Sequence, residues 1–598
     1  MSTNANMNSK EDYNGGDGKH LLSNLPLEIW INVGKQMHTL QLFKSLGAIA
    51  QTCKFFSDIF VPILYSRRII YVDERWQSNL PVVNNNSILP STLIHAKDLE
   101  FHFTKSIMIL DGITGYEGFD EFVAKVLSRT PNLRSFRWSD QSLPGSSLQN
   151  LPLRERGNME KLRRNPKLRH LWIEFSTDLN GKKYAEANRW CSLEGFCNLT
   201  SLNLHNFYGN NSQITDELAQ CLVNCPNLKS LGISLGSHYD WKTLGGPVVK
   251  DETDNFLEQL CSLYGDRYDS RPLDLHTLRL GFGASPYAPK MRDNQNYLQN
   301  LVCTKGLLSL EFYNGLWVEH LEGVPKDVLP IDFQLLEGCE SLTHLSMTGL
   351  EGDVIDWLSN RKRFSIRTMS TASYSHFSDE ISFKLDLPNL STLVTHNQAP
   401  RPVNEDGDVP PLDPSSVLHH AVSKYTILDN LLNKGSQLTS LTLCIHYEIQ
   451  WENFCSQLAN LNLLTHLRLN DLFRGGISLP IQPSLSFKNA TSYPDRAYYY
   501  AQEISKLCPS LRYLMISFSR KPPAAWEIIP GGDGVRDRRF RTLSVDELNT
   551  FELFSDDFDE LEKPTGLLLE SQWEKARPYP YLRWAPHDAH DEQTTSRW

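Results

Sequence analysis

One short pattern in this sequence could support nucleophilic chemistry. Ser234 lies at the centre of GISLG (232–236), which matches the G-x-S-x-G pattern of a nucleophile elbow. That chemistry requires a sharp turn at the serine, between a strand and an immediately following helix. Here Gly232 and Ile233 continue a strand-like alternation, and the residues that follow, HYDWKTLGGP, do not resemble a helix start. The sequence therefore favours a structural role for Ser234.

Two further spacings could bind a metal ion. Cys221 and Cys225 are four residues apart, and HDAHDE (587–592) contains His587 and His590. A structural zinc site needs a full tetrahedral set of ligands, and no further ligands lie near the cysteine pair in the sequence. The histidine pair belongs to a polar stretch with prolines and aromatic residues, which favours a solvated segment. We therefore expect no metal site.

A cysteine recurs three residues before a repeated leucine, at Cys225, Cys339 and Cys508. A position that recurs once per repeat is typical of packing, and cysteine is a small side chain that is often buried. The sequence contains neither the glycine-rich phosphate-binding loop nor the H-E-x-x-H zinc motif. These observations predict a protein that is not an enzyme and that uses no cofactor.

Composition limits the class of protein further. The chain has 598 residues, of which 40% are hydrophobic and 22% charged, and its formal net charge is −11. A negative net charge argues against a mainly electrostatic nucleic-acid binder, which needs a basic face. No apolar run reaches the roughly 18 residues of a membrane helix, and residues 1–20 have the composition of a disordered tail. The 11 scattered cysteines include no C-x-x-C pair, which favours reduced thiols in the cytoplasm or nucleus.

The elements that would position these residues follow one recurring unit, which is clearest in ELAQCLVNCPNLKSLGISL (217–235). Its first part has apolar residues at i, i+3, i+4 and i+7, the spacing of one helix face. Pro226 then ends the helix. The alternation of Leu231, Ile233 and Leu235 is typical of a half-buried strand. One unit is therefore a helix, a tight turn and a short strand.

The L-x-x-L-x-apolar part of this unit occurs eleven times along the chain, and its leading leucines are Leu133, Leu168, Leu199, Leu228, Leu275, Leu307, Leu342, Leu390, Leu438, Leu464 and Leu511. Each unit has one apolar face that it cannot bury alone, so neighbouring units must stack. The sequence thus predicts an α/β leucine-rich-repeat solenoid over 71–520, with parallel strands lined by helices. The long gaps, such as 397–416 and 471–497, are expected to be loops within the array.

Residues 23–37, SNLPLEIWINVGKQM, precede the repeats and follow a different pattern. A second amphipathic stretch, LGAIAQTCKFFSDIF (46–60), comes next. Together they predict about 45 residues of short helices, near the lower limit for an independent fold, so the module is expected to depend on a partner. The helical stripe of the first stretch is formed by Leu25, Ile29, Val33 and Met37. An ordinary helical cap of the solenoid is the alternative interpretation.

Three short sequence blocks occur in this order: LPLEI (25–29), AQTCKFF (50–56) and PILY (62–65). Together they resemble an F-box over residues 21–70. The resemblance is to the fungal type, in which leucine-rich repeats come after the F-box. The sequence departs from the family at Gly34, where a larger apolar residue is usual, and glycine within a helix costs about 1 kcal/mol relative to alanine. The resemblance implies docking onto a Skp-family adaptor of a cullin–RING ubiquitin ligase. The residues that match the family's adaptor-facing positions are Leu25, Pro26, Ile29, Val33, Leu46 and Cys53.

The order of these two modules implies a substrate-recognition subunit of a Skp–cullin–F-box ubiquitin ligase. The repeats would hold a target protein, and its proximity to the charged ubiquitin carrier would raise the effective concentration of the reactants. A leucine-rich-repeat scaffold or inhibitor without a ligase link is the alternative. The strand face is expected to mix charges of both signs, so it indicates no single class of target: Arg134, Lys229, Arg279, Glu311 and Arg468.

The C-terminal stretch 521–598 differs in character from the repeats. It contains RDRRFR (536–541) and DDFDELE (556–562), opposed charge blocks that can pair with each other or with a partner. A solvated extension is one interpretation. The other is a cap over the last repeat, for which the apolar candidates are Leu567, Leu568, Leu569, Trp573, Tyr579, Tyr581 and Trp584.

Overall fold

The fold is mixed α/β, with helices and 3-10 turns placed before strands of one long sheet. The structure is a computed structural model, and it describes residues 25–39, 43–71, 101–111, 119–140, 156–175, 190–207, 211–235, 256–268, 271–281, 283–290, 295–312, 331–349, 357–358, 365–373, 389–395, 437–445, 451–471, 493–517, 524–531 and 534–543. The predictions for 1–20, 397–416 and 587–592 lie outside these residues. Among the described helices, none is both long enough and apolar enough to cross a membrane.

The N-terminal part is a unit of three helices, α1 (Leu27–Thr39), α2 (Phe43–Ala50) and α3 (Lys54–Leu64). The edge of the Trp30 ring packs against Phe56, with ring centroids 4.9 Å apart. Apolar side chains from all three helices, including Trp30 and Met37 of α1, meet in a cluster that is separate from the core of the sheet. The buried members of this cluster are Leu46, Ala50, Ile59 and Phe60.

The described strands form a single sheet, and their order in the sheet is their order in the chain. Neighbours from β1 to β14 are parallel, whereas β14, β15 and β16 are antiparallel neighbours. The strands are β1 (Arg67–Tyr71), β2 (Ser106–Asp111), β3 (Ser135–Asp140), β4 (His170–Glu174), β5 (Ser201–Phe207), β6 (Ser230–Leu235), β7 (Thr277–Leu280), β8 (Ser309–Phe312), β9 (His344–Gly349), β10 (Thr368–Ser373), β11 (Thr392–Thr395), β12 (Ser440–Ile445), β13 (His466–Asp471), β14 (Tyr513–Ser517), β15 (Ala524–Gly531) and β16 (Gly534–Thr542).

Helices precede several of these strands and share one continuous apolar cluster with them, which runs from Phe101 to Ile528. The helices are α4 (Phe119–Ser128), α5 (Arg156–Arg163), α6 (Asn211–Val223), α7 (Phe256–Tyr268), α8 (Leu298–Leu301), α9 (Trp451–Leu458) and α10 (Tyr493–Leu507), with 3-10 turns at Thr304–Gly306 and Phe333–Leu336. The predicted α/β array of parallel strands is therefore present, and it is solenoid-like.

All eleven predicted leading leucines are buried, and a strand begins two residues after each of them. The leucine pattern predicts eleven of the sixteen described strands and does not predict β1, β2, β10, β15 or β16. In β10, Ile366 and Met369 occupy the leucine positions and are each 1% exposed. The long gap between Leu342 and Leu390 therefore contains a further repeat. In β2 the leading position is held by Thr104, which is fully buried.

A shared backbone acceptor joins each repeat to the next. The backbone N–H groups of Arg169 and His170 both donate to the Arg134 carbonyl, at 2.8 and 3.0 Å. The same pair of bonds recurs at each parallel step from Ser66, whose carbonyl accepts from Lys105 and Ser106, at 2.7 and 3.0 Å. Because this ladder fixes the register, equivalent residues of successive repeats lie side by side.

A β-hairpin, β15 and β16, occupies the last edge of the sheet. The Arg538 guanidinium of β16 donates to the carbonyls of Ser505 and Cys508, each at 2.9 Å, and also to the Pro509 carbonyl. These carbonyls lie at the C-terminal end of α10, where a cation is favourable. The hairpin thus covers the final repeat, whereas the apolar residues that the sequence suggested for a cap, 567–584, lie outside the described residues.

Gly34 lets α1 approach α3 closely. A Cβ atom at this position would lie 2.7 Å from Phe60 Cδ1 and 2.7 Å from Ile63 Cδ1. Phe60 is fully buried, so its ring has little room to move. The departure from the F-box pattern at Gly34 therefore has a packing reason in this chain.

We expect Gly34→Ala to destabilise the three-helix unit, although alanine is the better helix former. Overpacking of this kind costs about 1–3 kcal/mol, which exceeds the gain of about 1 kcal/mol in helix propensity. Hydrogen exchange of the backbone amides in 43–64 measures the change, and faster exchange is the expected result.

Gly47→Ala is the matched control, because the nearest atom to its Cβ would be Leu64 Cδ2 at 3.9 Å. This substitution should slow the exchange or leave it unchanged, since only the propensity changes. Unchanged or slower exchange in Gly34→Ala would contradict the close approach of α1 to α3.

Candidate functional site

Exposed apolar side chains are concentrated on the three-helix unit. Among the described residues, the large hydrophobic side chains that remain exposed are Leu25, Leu27, Ile29, Val33, Phe55, Leu463, Tyr498 and Ile529. Five of these eight belong to residues 25–55. A concentration of exposed apolar side chains of this kind is typical of a protein–protein contact.

Three of the predicted adaptor-facing residues form a stripe on this surface. Leu25, Ile29 and Val33 are 41%, 43% and 38% exposed. They follow one another at a spacing of four residues, so Ile29 and Val33 lie on the same face of α1. Pro26 and Cys53, also predicted, are exposed too. We name Leu25, Ile29 and Val33 the apolar stripe.

Leu46, the remaining predicted adaptor-facing residue, lies inside the unit. Its side chain is fully buried, and it belongs with Ala50, four residues later, to the cluster between the helices. Leu46 therefore stabilises the three-helix unit from within and is not part of its surface. The structure adds Leu27 and Phe55, which are exposed at 49% and 43%.

The side of the sheet opposite the leucines, here called the polar face, carries a buried row of polar and charged residues. Strand register places these residues side by side from β3 to β9: Arg137, Trp172, Asn203, Gly232, Arg279, Glu311 and Ser346. All six side chains in this row are at most 5% exposed. Buried charges need close partners, and the row supplies them.

Arg279 is the centre of this row. Its guanidinium pairs with Glu311 on the next strand, with 3.0 Å between Nε and Oε2. It also donates to Asn203 Oδ1 at 3.1 Å and to Ser230 Oγ at 3.0 Å. Gly232 lies between Arg279 and Asn203 in the register, and a Cβ there would overlap the Asn203 side chain. Because Gly232 has no side chain, the Arg279 guanidinium can extend across β6 to Asn203 on β5.

Trp172 connects this centre to the strands on its other side. The Arg137 guanidinium lies 4.2 Å from the Trp172 ring centroid, and that of Arg279 lies 5.8 Å from it. The indole N–H donates to Glu174 Oε2 at 3.4 Å, and Arg137 Nη2 lies 3.6 Å from the same oxygen. Two cations therefore flank one aromatic ring, an arrangement stabilised by the ring quadrupole.

Ser234, the candidate nucleophile, is paired with a histidine but enclosed. Its Oγ lies 3.2 Å from His205 Nδ1 and accepts from the Asn206 backbone N–H at 3.1 Å. Burial, and then the charges of Arg279 and Arg137, hold the pKa of His205 well below its ordinary value. A general base must accept a proton, and these cations oppose the imidazolium. Ser234 is itself fully buried, so this geometry favours a structural hydrogen bond.

The recurring cysteines occupy the interior. Cys225, Cys339 and Cys508 are fully buried, and burial raises the pKa of Cys508 to about 12. The raised pKa makes the Cys508 thiol a poor nucleophile and a poor metal ligand, whereas the side-chain hydrogen bond with Cys221 lowers the pKa of Cys225. Among the described residues, no group of three or more potential ligands is arranged to hold a metal ion.

The charged residues that the sequence assigned to one strand face divide into two sets. Arg279, Glu311 and Arg468 lie in strands and are nearly fully buried. Arg134 and Lys229 each precede a strand, at the edge of the sheet. The sequence analysis did not name Arg137, Trp172 and His205. Each lies four or six residues after the leading leucine of its repeat, and the strand alternation places these positions on the polar face.

No family model matches the chain, and no curated protein matches it. Among solved structures, it is similar to the crystal structure of the Rad7 and Elc1 complex in yeast. That similarity covers 75% of this chain and 82% of the other, at 12% sequence identity and a TM-score of 0.24. A TM-score this low supports no conclusion about function.

We expect Arg279→Met to destabilise the sheet by about 3–5 kcal/mol, because it leaves Glu311 charged and buried without its partner. The double variant Arg279→Met/Glu311→Leu should lose less than the single variant, since both charges are then removed. Urea denaturation measures both changes. A double variant less stable than the single one would contradict this account of the pair.

Lys229→Met is the matched control for the loss of a cation. Lys229 pairs with Asp274 at 2.7 Å, but the two side chains are 43% and 66% exposed. Exposed pairs contribute about 0–1 kcal/mol, so this variant should remain within about 1 kcal/mol of the wild type. A loss as large as that of Arg279→Met would show that burial is not the cause.

We expect the sheet to lose stability as the pH falls below about 6.5, the usual pKa of histidine. Burial and then the Arg512 charge lower the pKa of His466 to about 4, and the pKa of His205 is also lowered. As the pH falls from about 6.5 towards about 4, the unfolded chain binds protons at these histidines that the folded chain does not bind. The free energy of unfolding therefore decreases across this pH range. At about pH 5, His466 alone accounts for about 2 kcal/mol.

Urea denaturation midpoints between about pH 7 and pH 5 test this expectation. His466→Gln should flatten the pH dependence, because the variant has no imidazole to titrate. The same pH dependence in the variant and in the wild type would contradict the assignment to His466.

Proposed function

We propose that this protein is a substrate-recognition subunit of a Skp–cullin–F-box ubiquitin ligase. Residues 21–70 are an F-box that docks a Skp-family adaptor, and residues 71–520 are leucine-rich repeats that bind a target protein. Residues 1–20 and 521–598 flank these modules, the latter as an extension or cap. The protein itself makes or breaks no bonds and uses no metal or cofactor. It acts in the cytoplasm or nucleus.

The observation that carries this proposal is the apolar stripe, of which Ile29 and Val33 lie on α1 and Leu25 precedes it. Leu25, Ile29 and Val33 leave apolar surface exposed on a unit that has its own small core. Complete burial of a fully exposed large apolar side chain contributes roughly 1.5–3 kcal/mol, and a partner could bury the 38–43% that remains exposed on each residue of the stripe. An adaptor groove that covered the stripe would therefore gain about 2–4 kcal/mol, and the stripe coincides with residues that match the F-box pattern.

The connection between the two modules supports the same role. Helix α3 ends at Leu64 and β1 begins at Arg67, so the helical unit leads directly into the first strand. The Thr104 hydroxyl of the next repeat donates to the Tyr65 carbonyl at 3.2 Å. A short, hydrogen-bonded junction limits the positions that a bound target can take relative to a bound adaptor. Such positioning raises effective concentration, which is the contribution proposed for this chain.

We expect Ile29→Asp/Val33→Asp to lose at least roughly tenfold in adaptor recovery relative to the wild type. Interfaces depend on a few buried apolar residues, whose loss costs about 2 kcal/mol or more each. The measurement is co-purification of the full chain with a Skp-type adaptor, quantified against the recovered chain.

Leu463→Asp/Ile529→Asp is the control, since these side chains are exposed at 52% and 41% but lie outside the three-helix unit. It should recover as much adaptor as the wild type. Equal recovery by all three proteins would mean that the apolar stripe is not the docking surface. If the wild type retains no adaptor, the scaffold or inhibitor without a ligase link becomes the better proposal.

A further inference from the structure

The residue before each parallel strand holds the same place in every repeat. Its backbone N–H donates to the carbonyl of the equivalent residue one repeat earlier: Arg134 to Lys105 at 2.7 Å, Arg169 to Arg134 at 2.8 Å, and Lys229 to Thr200 at 2.8 Å. These bonds place the five residues in one line, along the edge of the sheet where the strands begin. Neighbours in the line are separated by one strand spacing, about 4.8 Å.

This line is basic in the first half of the sheet. From β2 to β6 it contains Lys105, Arg134, Arg169, Thr200 and Lys229, so four of its five residues are cationic. Lys105 and Arg134 are exposed, and Arg169 is half-buried. The Lys229 side chain is 43% exposed. We name the four cationic residues the basic ridge.

The turns that bear the ridge add cations and few anions. Lys167 lies on the turn before Arg169, is exposed, and donates to the Asn132 side chain of the preceding repeat. The Arg169 guanidinium donates to the Pro166 and Leu168 carbonyls, at 2.9 and 2.8 Å, which holds it at the turn. Lys229 pairs with the Asp274 carboxylate at 2.7 Å.

Such a line of like charges is unfavourable by itself. Two unit charges about 5 Å apart repel by about 0.8 kcal/mol even in water, and the screening length at physiological salt is about 8 Å. The chain as a whole carries a net charge of −11, so the ridge is a local exception to its charge. An anionic partner that lies along the ridge relieves this repulsion and gains attraction from several cations together.

We propose that the basic ridge binds an acidic, extended polypeptide segment of a partner protein. The ridge covers four strand spacings, about 19 Å, which an extended segment of roughly six residues spans. Binding of this kind depends on the ridge alone and does not require adaptor docking.

Length and net charge favour a polypeptide over a nucleic acid. Duplex DNA carries a charge about every 1.7 Å and extends well past a surface of this length. Beyond the ridge it would meet a protein whose net charge is −11, which repels a long polyanion. A short acidic segment places its charges on the ridge only.

The test is fluorescence anisotropy of a labelled short peptide of alternating glutamate and aspartate, titrated with the full chain. Arg134→Gln/Arg169→Gln should weaken binding roughly tenfold, because two ion pairs at the surface, worth up to about 1 kcal/mol each, are lost. The affinity of the wild type should fall as salt is raised, since exposed charges are screened.

Arg367→Gln/Arg512→Gln is the matched control. Both arginines are exposed and hold the same ladder position, donating to Thr343 and Thr465 at 2.8 and 2.9 Å. They stand in the second half of the sheet, where the ladder residues between them are Ser391, Thr439 and Thr465. The control should bind the peptide within about twofold of the wild type.

Three outcomes would overturn the proposal: no peptide binding by the wild type, equal weakening in both double variants, or tighter binding of a single-stranded oligonucleotide than of the peptide. If Arg134→Gln/Arg169→Gln does not fold, Lys105→Gln/Lys167→Gln replaces it, since both lysines are exposed. That variant should weaken peptide binding several-fold, and unchanged binding would count against the ridge.

Discussion

The structure depends on the fact that no repeat can bury its leucines alone. Each leading leucine lies under a strand that offers only one apolar face, and it becomes buried only when the neighbouring repeats pack beside it. The shared carbonyl acceptor, for example that of Arg134, then requires the next repeat to enter in one register. Register and burial are therefore satisfied together, and a shift by one residue would turn every leucine to the wrong face.

The same register organises the polar face, which explains why that face was harder to predict. A leading leucine and its strand can be recognised within a few residues, because burial and alternation are local signals. The Arg279 cluster combines side chains from β5, β6, β7 and β8, and it needs the absence of a side chain at Gly232. Nothing within one repeat indicates which glycine leaves room for an arginine two strands from its partner. The repeat that contains β10 was missed for a simpler reason. Its leucine positions hold Ile366 and Met369, so the repeat does not match a pattern of leucines.

The three-helix unit shows a similar division. The motif blocks predicted short helices here and named Leu25, Ile29 and Val33, which are exposed, but the structure divides the second predicted stretch, 46–60, between α2 and α3. Apolar residues face both the interior and the outer surface of such a small unit, so residue type alone did not separate Leu46 from the exposed set. The packing of α1 against α3 makes that separation. The same packing explains why position 34 is a glycine, which helix propensity alone does not explain. The Phe60 ring fills the space that a side chain at this position would occupy.

The two outermost strands, β1 and β16, have a consequence for how copies of this molecule behave together. A long sheet has an unpaired row of backbone groups at each end, which invites pairing with another chain. Here β1 begins with Arg67 and Arg68, and β16 contains four arginines within GVRDRRFRT. Of the arginines of β16, Arg539 is exposed, whereas Arg538 donates to carbonyls at the end of α10 and Arg541 pairs with Glu527. A charged side chain on an edge strand makes pairing with another chain less favourable, so Arg539 opposes extension of the sheet from the β16 end.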